Sequence, residues 1–181
     1  IGFLKCRLDA RWKSDDKPIP GIVFMRGDAV AVLLVIKERN SDNSHVVMVQ
    51  QPRIPVPSLD FLELPAGMVD EDKNFHSVAL KELKEECGIE IFSDEMIPLG
   101  PSDSYLVSPG GCDEKLSLYL VEKVLSPSDI KDLDGRLGGL REEGERIQVR
   151  LIKLSEVVEK TRSLSVLAAM ALYQNHKAKS L

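Results

Sequence analysis

The sequence is poor in cysteine and histidine and has no long apolar run, and each shortage argues against a class of protein. Its cysteines, Cys6, Cys87 and Cys112, are odd in number and widely spaced. That argues against a disulfide-stapled scaffold, and the lack of a CxxC or Cys/His pattern argues against a zinc ribbon. They read as reduced thiols of an intracellular protein, Cys112 being a loop filler with no activating base nearby in sequence. His45, His76 and His176 stand alone, without triad partners, and His76 is expected to be exposed or structural. No stretch approaches the roughly 20 apolar residues of a bilayer-spanning helix. The longest, residues 29–36, suits a buried strand. Repeats and low-complexity tracts are missing. Positive charge is also short: 24 basic residues against 29 acidic ones give −5, which weighs against nucleic acid as a partner. A local metal site could still reverse the field for a small anionic substrate. No secretory signal is visible. A chain opening on Ile1 rather than Met is expected to have residues upstream, a removed targeting peptide among the possibilities.

What is present is an ordinary globular balance, 43% hydrophobic and 29% charged, enough for one domain, or one domain and a small annex, to build a core without staples. The first 25 residues alternate weakly and carry a turn signal at Lys17-Pro-Ile-Pro-Gly21. Residues 29–36 read as a central strand, 39–44 as a polar hairpin turn, and 45–50 as the partner strand. A short strand at 60–64 is closed by Pro65. Residues 74–87 read as a helix, because Phe75, Ala79 and Leu83 recur every four positions and Gly88 supplies a stop. Strands are expected at 115–124 and at 147–154, where Ile147, Val149 and Leu151 alternate with Gln148 and Arg150. Leu164, Leu167, Ala168, Ala171 and Leu172 mark a C-terminal helix. Residues 129–144, polar and Gly-containing, read as a mobile loop. This irregular mixture implies an α+β fold, a mixed sheet between helices.

The chemistry gathers between 67 and 89. Glu82, Glu85 and Glu86 stand at i, i+3 and i+4 and share a helical face, where like charges cost a few tenths of a kcal/mol per pair unless compensated. Magnesium, hard and oxygen-seeking, would compensate them. A bare Glu-Leu-Lys-Glu-Glu is ordinarily a solvated face, here with Lys81 and Lys84 beside it. The spacing of Gly67, Glu82, Leu83, Glu85, Glu86, Gly88 and Ile89, however, resembles the Nudix box at seven fixed positions. Two positions depart. Lys73 stands where that family has Glu, and Lys81 where it has Arg. Lys keeps the charge but loses the bidentate fork. Asp70, Glu71 and Asp72 lie close enough to stand in for the missing acid. Around the box are Gln51-Pro-Arg53, Glu63-Leu-Pro-Ala-Gly67, Ser108-Pro-Gly-Gly-Cys-Asp-Glu114 and an acidic segment at 139–149. From about Gly21 to the C-terminus this set is similar to the ADP-ribose and ADP-sugar diphosphatase branch of the family, particularly its plant plastid type.

The resemblance implies a Nudix α/β/α sandwich over 26–181, the box forming a loop–helix–loop. It implies a strand-rich annex at 1–25 that makes a homodimer, with exchange of N-terminal strands left open. It implies Glu82, Glu86, Glu145 and the Ala66 carbonyl as ligands of Mg2+, with Mn2+ able to substitute. Glu143 becomes the general base, Glu142 its near rival, and Glu85 an acid close by. Arg53, Glu114, Ser108, Pro109 and Gly110 become substrate-binding residues. The plain alternatives are surface charge for the loop acids, an ion pair across a dimer interface for Arg53, and an ordinary turn for Ser-Pro-Gly. The implied reaction is Mg2+-dependent hydrolysis of a nucleoside diphosphate sugar, ADP-glucose or ADP-ribose, to AMP and sugar phosphate. Competing readings are a UDP-glucose or GDP-sugar diphosphatase, a catalytically weak nucleotide-binding regulatory domain motivated by Lys73 and Lys81, and a generic interaction domain with an acidic helix. Ser108-Pro-Gly disfavours triphosphates. No nucleic acid or membrane partner is expected, and plastid and cytoplasm both stay open.

Overall fold

The apolar run at 29–36 is buried on both sides because it forms the middle of a sheet covered by helices. The computed structural model describes residues 3–69, 74–101, 104–140, 142 and 144–180. Its strands are β1 (Leu4–Arg7), β2 (Ala10–Arg11), β3 (Pro18–Ile19), β4 (Ile22–Met25), β5 (Asp28–Glu38), β6 (Ser44–Arg53), β7 (Ser58–Glu63), β8 (Ala66–Met68), β9 (Ile97–Leu99), β10 (Tyr105–Leu106), β11 (Lys115–Leu125), β12 (Leu137–Gly138) and β13 (Ile147–Lys153). Its α-helices are α1 (Phe75–Glu82), α2 (Pro127–Leu133), α3 (Val157–Lys160) and α4 (Leu164–Lys179). Among the described residues β5 to β13 make a nine-stranded sheet in the order β10-β11-β5-β6-β13-β12, with β7 beside β6, β8 beside β5 and β9 beside β11. The β5–β11 pair is parallel and the other pairs antiparallel, so the sheet is mixed, as expected.

Alternation along β5 divides the core. Val30, Val32, Leu34 and Ile36 pack with Val78, Ala79, Leu83 and Leu133 from the α1 and α2 side. Ala31, Leu33 and Val35 pack with Val166, Ala169, Met170 and Tyr173 of α4. A strand buried on both faces needs a continuous apolar run rather than an alternating one. The result is the α/β/α sandwich of an α+β fold. On the α4 side, Glu122 of β11 accepts hydrogen bonds from Tyr173 Oη at 3.1 Å and Lys177 Nζ at 2.9 Å, and pairs with Lys37 Nζ at 3.1 Å. This network ties α4 to two neighbouring strands. Among the described residues no helix is long and apolar enough to cross a membrane.

Two expectations are corrected. The box helix starts as read: Asn74 Oδ1 accepts the His76 N–H at 2.8 Å, and Gly88 (φ 65°) caps the end. Its last five residues, Leu83–Cys87, form a π turn rather than α-helix. His76 is structural, its ring lying edge-on to Tyr119 with centroids 4.7 Å apart. Residues 129–144 are not simply loop, because α2 enters them and β12 lies inside them. The signal for α2 was local. Ser126 accepts the Asp129 N–H while Asp129 bonds back to the Ser126 N–H, and Pro127 opens the helix. Ile130 and Leu133 then face the core.

Ahead of the sheet, β1 pairs with β4, and β2 pairs with β3. β4 reaches the Ser108–Asp113 segment: the Phe24 N–H donates to the Gly111 carbonyl at 2.8 Å, and Phe24 bridges Cys112. Replacing the fully buried Leu33 by Ala should lower unfolding free energy by about 2–5 kcal/mol, and Ser126→Ala by about 1 kcal/mol. Urea denaturation measures both, and a negligible loss in Ser126→Ala would contradict the capping of α2.

Candidate active site

The acids of the box are set by one strand and one irregular helix end. β8 runs antiparallel to β5 beneath α1. Gly67 faces the Glu82 carboxyl so closely that a Cβ there would collide with it. The glycine therefore allows that carboxyl to lie flat on the strand. One residue earlier, the Ala66 N–H donates to Glu86 Oε2 at 3.1 Å. The π turn parts Glu85 from Glu86. Glu86 is 4% exposed, whereas Glu85 turns to Lys81, with Nζ and Oε2 at 3.3 Å. Lys81 therefore steadies a box glutamate even where the family pattern has Arg.

Glu86 is the electrostatic centre. Burial and the neighbouring Glu82 push its carboxyl up to about 9, the Ala66 N–H partly opposes this, and Glu63 and Glu145 add to the rise. Four acids from three parts of the chain thus share one field: Glu63 on β7, Glu82 and Glu86 on the box helix, and Glu145 in the late loop. Glu63 was missed as a site residue. The signal was its place at a strand end, four residues ahead of Gly67. Its Oε1 accepts from Arg53 Nε at 2.8 Å and Gln51 Nε2 at 3.0 Å, and lies 2.6 Å from Arg53 Nη2. Arg53 therefore pairs with an acid of its own chain. Glu145 Oε2 accepts the Leu140 N–H at 2.8 Å. Its residue borders a cleft of about 720 Å³ lined also by Gln50, Pro52, Leu137, Arg146 and Gln148. Glu142 is exposed. Glu143, Asp70, Glu71, Asp72, Lys73 and Arg141 lie outside the described residues, and with them the assigned base and the suggested replacement acids.

The second group of expected residues sits in or beside a turn whose neighbours Gly111 and Asp113 bond the N-terminal strand β4. Ser108, Pro109 and Gly110 form a turn in which the Ser108 carbonyl accepts the Gly111 and Cys112 N–H groups at 3.1 and 2.9 Å. Glu114 pairs with Arg26, whose Nε lies 3.0 Å from Oε1 without the alignment of a hydrogen bond, so the attraction is coulombic. Arg26 was also missed, and its guanidinium stands 5.0 Å over the Phe3 ring. Asp113 Oδ1 accepts the Arg26 and Gly27 N–H groups at 2.7 and 3.2 Å, which hold its carboxyl below the usual range. The Cys87 thiol is buried and pushed up by burial and by Glu86, which fits an inert core residue.

The acids are oxygen donors with negative charge in excess, which in kind suits a hard divalent cation. In geometry they are not yet gathered: among the described residues no three acid, His or Cys side chains stand close enough to grip one ion. Glu63, Glu86 and Glu145 have separate protein partners, so a cation would have to draw them together.

Residues 25–169 match the family profile described as NUDIX domain. The chain belongs to the Nudix family. It is 41% identical, over 96% of its length, to Nudix hydrolase 14, chloroplastic, of Arabidopsis thaliana, and spans 58% of that relative. It is 30% identical to the ADP-ribose pyrophosphatase of Escherichia coli, over 86% of this chain and 72% of the relative. With the ADP-ribose pyrophosphatase of Bacillus subtilis it shares 28% identity over 80% of this chain and 68% of that one. In this Nudix domain the box residues Gly67, Glu82, Glu85, Glu86 and Gly88 have the structural places just described.

Burial of Glu86 gives a signed prediction. The unfolded chain loses the Glu86 proton near 4.5, while the folded chain keeps it to about 9. The stability tied to that proton is complete below about 4.5 and lost as pH rises through about 9. In chelator, Glu86→Gln should melt several degrees above the wild-type protein at pH 8, and the gap should close toward pH 5. Equal melting temperatures at pH 8 would contradict the placement of this carboxylate.

Proposed function

We propose that this Nudix domain hydrolyses the diphosphate of a nucleoside diphosphate sugar, an ADP-sugar such as ADP-ribose or ADP-glucose, to AMP and sugar phosphate with Mg2+. The observation that carries the reading is a buried glutamate, Glu86, in the field of Glu63, Glu82 and Glu145, three acids from separate elements. Such an arrangement opposes folding unless it serves to hold positive charge. Glu82 and Glu86, with Glu145 and the Ala66 carbonyl, would hold the ion. Bound there, Mg2+ or Mn2+ would supply charge neutralisation at the diphosphate and a more acidic water.

The remaining work falls to the chain. Glu142 or Glu143, close to Glu145 in sequence, would take the proton of the attacking water. Arg53 would leave Glu63 in part to meet a phosphate, which its planar fork suits. Glu114 and the Ser108-Pro109-Gly110 turn would position the substrate, Arg26 holding Glu114 in place. The Lys81–Glu85 pair keeps the positive charge beside the box, so the Lys81 departure supports a working enzyme rather than a silent binding domain. The names of the Escherichia coli and Bacillus subtilis relatives favour ADP-ribose among nucleotide sugars.

We propose the N-terminal 25 residues as a separate annex that pairs two copies of the chain. Phe3, Leu4, Leu8, Trp12, Ile22 and Met25 expose large apolar surfaces there, which a partner copy would cover. The word chloroplastic in the Arabidopsis relative's name supports a plastid location.

The decisive measurement is hydrolysis of ADP-ribose, ADP-glucose and UDP-glucose with and without Mg2+, with the products identified. Mg2+-dependent release of AMP from an ADP-sugar is expected. Glu86→Gln should lower kcat/KM by on the order of 100-fold or more without unfolding. Tight nucleotide binding without turnover would favour a regulatory domain instead, and preferred cleavage of UDP-glucose would change the substrate.

A further inference from the structure

The two halves of the acid set are joined by backbone. Widening from α to π at Leu83–Cys87 changes which carbonyls are served within the helix. The Gly88 N–H bonds the Lys84 carbonyl at 3.0 Å and the Ile89 N–H bonds the Leu83 carbonyl at 3.3 Å. The Glu85 carbonyl accepts from outside, from the Gly139 N–H at 2.9 Å. Beside it, Gly138 lies directly on the Glu86 carbonyl, and a Cβ at 138 would collide with that oxygen. Gly139 has a φ of 82°, and a Cβ there would meet Glu145 Cβ at 3.0 Å and Oε2 at 3.2 Å. Leu140 then donates its N–H to Glu145 Oε2 at 2.8 Å. Residues 138–140 thus touch the backbone of Glu85 and Glu86 on one side and the side chain of Glu145 on the other. Pairing of Gly138 with Ile147 fixes the segment to the sheet.

We propose that Gly138 and Gly139 are positioning residues, a backbone splint that sets where Glu145 stands relative to Glu86 and so how the acid set closes on a cation. The proposal rests on the metal-dependent reading above. It follows from sterics: a methyl at 138 parts β12 from the π turn, and one at 139 presses on Glu145, while each carboxylate stays intact. Closure of a dispersed donor set is sensitive to such offsets, because a hard cation demands its donors at defined distances.

The test compares Gly138→Ala and Gly139→Ala with Gly135→Ala. Gly135 (φ 83°) shares the left-handed backbone of Gly139, but its added Cβ would meet only Gln148 Nε2, at 3.8 Å. Mn2+ affinity is read by electron paramagnetic resonance without substrate, alongside kcat, KM and melting temperature. Both splint variants should bind Mn2+ about 10-fold more weakly or worse, the scale of a lost supporting contact. Both should lose kcat with little change in KM, while Gly135→Ala keeps wild-type affinity. Wild-type Mn2+ affinity per folded molecule in Gly138→Ala would overturn the splint. If Gly138→Ala does not fold, Gly139→Ala decides by the same criterion. Failure of the wild-type protein to bind Mn2+ would overturn the metal reading and the splint with it. Binding that Glu86→Gln abolishes and the splint variants retain would overturn the splint alone.

Discussion

A carboxylate buried among other carboxylates is the constraint on which the site depends. Among the described residues Glu86 accepts a hydrogen bond from the Ala66 N–H and faces the charges of Glu82, Glu63 and Glu145. Water has been removed from it, so repulsion is weakly screened. The folded chain must relieve that with a proton or a cation. Gly67 leaves room for the Glu82 carboxyl, Lys81 holds Glu85 aside, and Arg53 steadies Glu63.

Rigidity here comes from backbone and adjustability from side chains. β8 is fixed by its register with β5, and the π turn by hydrogen bonds that include the Gly139 N–H. The acids are held by side-chain contacts that differ from one to the next, Glu63 by Arg53 and Gln51. Glu145 has the Leu140 N–H, and Glu86 has that of Ala66. Under the proposed metal-dependent reading such a donor set would close by side-chain rotation, which suits catalysis by positioning and charge stabilisation.

The N-terminal strands bear on the same chemistry from the other side. Arg26 stands where they enter the sheet, its N–H on Asp113, its guanidinium against Glu114 and over Phe3. The Ser108–Asp113 turn is held to β4 by the Phe24–Gly111 bond. Any shift of those strands is therefore felt at Glu114. This gives the apolar surface of Phe3, Trp12 and Ile22 a path toward the proposed substrate residues through ordinary contacts.

Much of this was determined by sequence alone. The run at 29–36 read as a buried central strand, the recurrence of Phe75, Ala79 and Leu83 as a helix, and the spacing from Gly67 to Ile89 carried the family, because each is a local pattern that a fold honours. The capping box of α2 was equally local but was outweighed by the polar composition around it. Tertiary structure alone decided the rest. The π turn answers to a neighbouring glycine strand some 50 residues away in sequence. Arg26 acquires its partners Asp113 and Glu114 only when segments distant in the chain are brought side by side. The pairing of Arg53 with Glu63 depends on the β6–β7 register. Above all, the burial that lifts Glu86 belongs to no residue by itself; it arises where a helix, two strands and a late loop exclude water together.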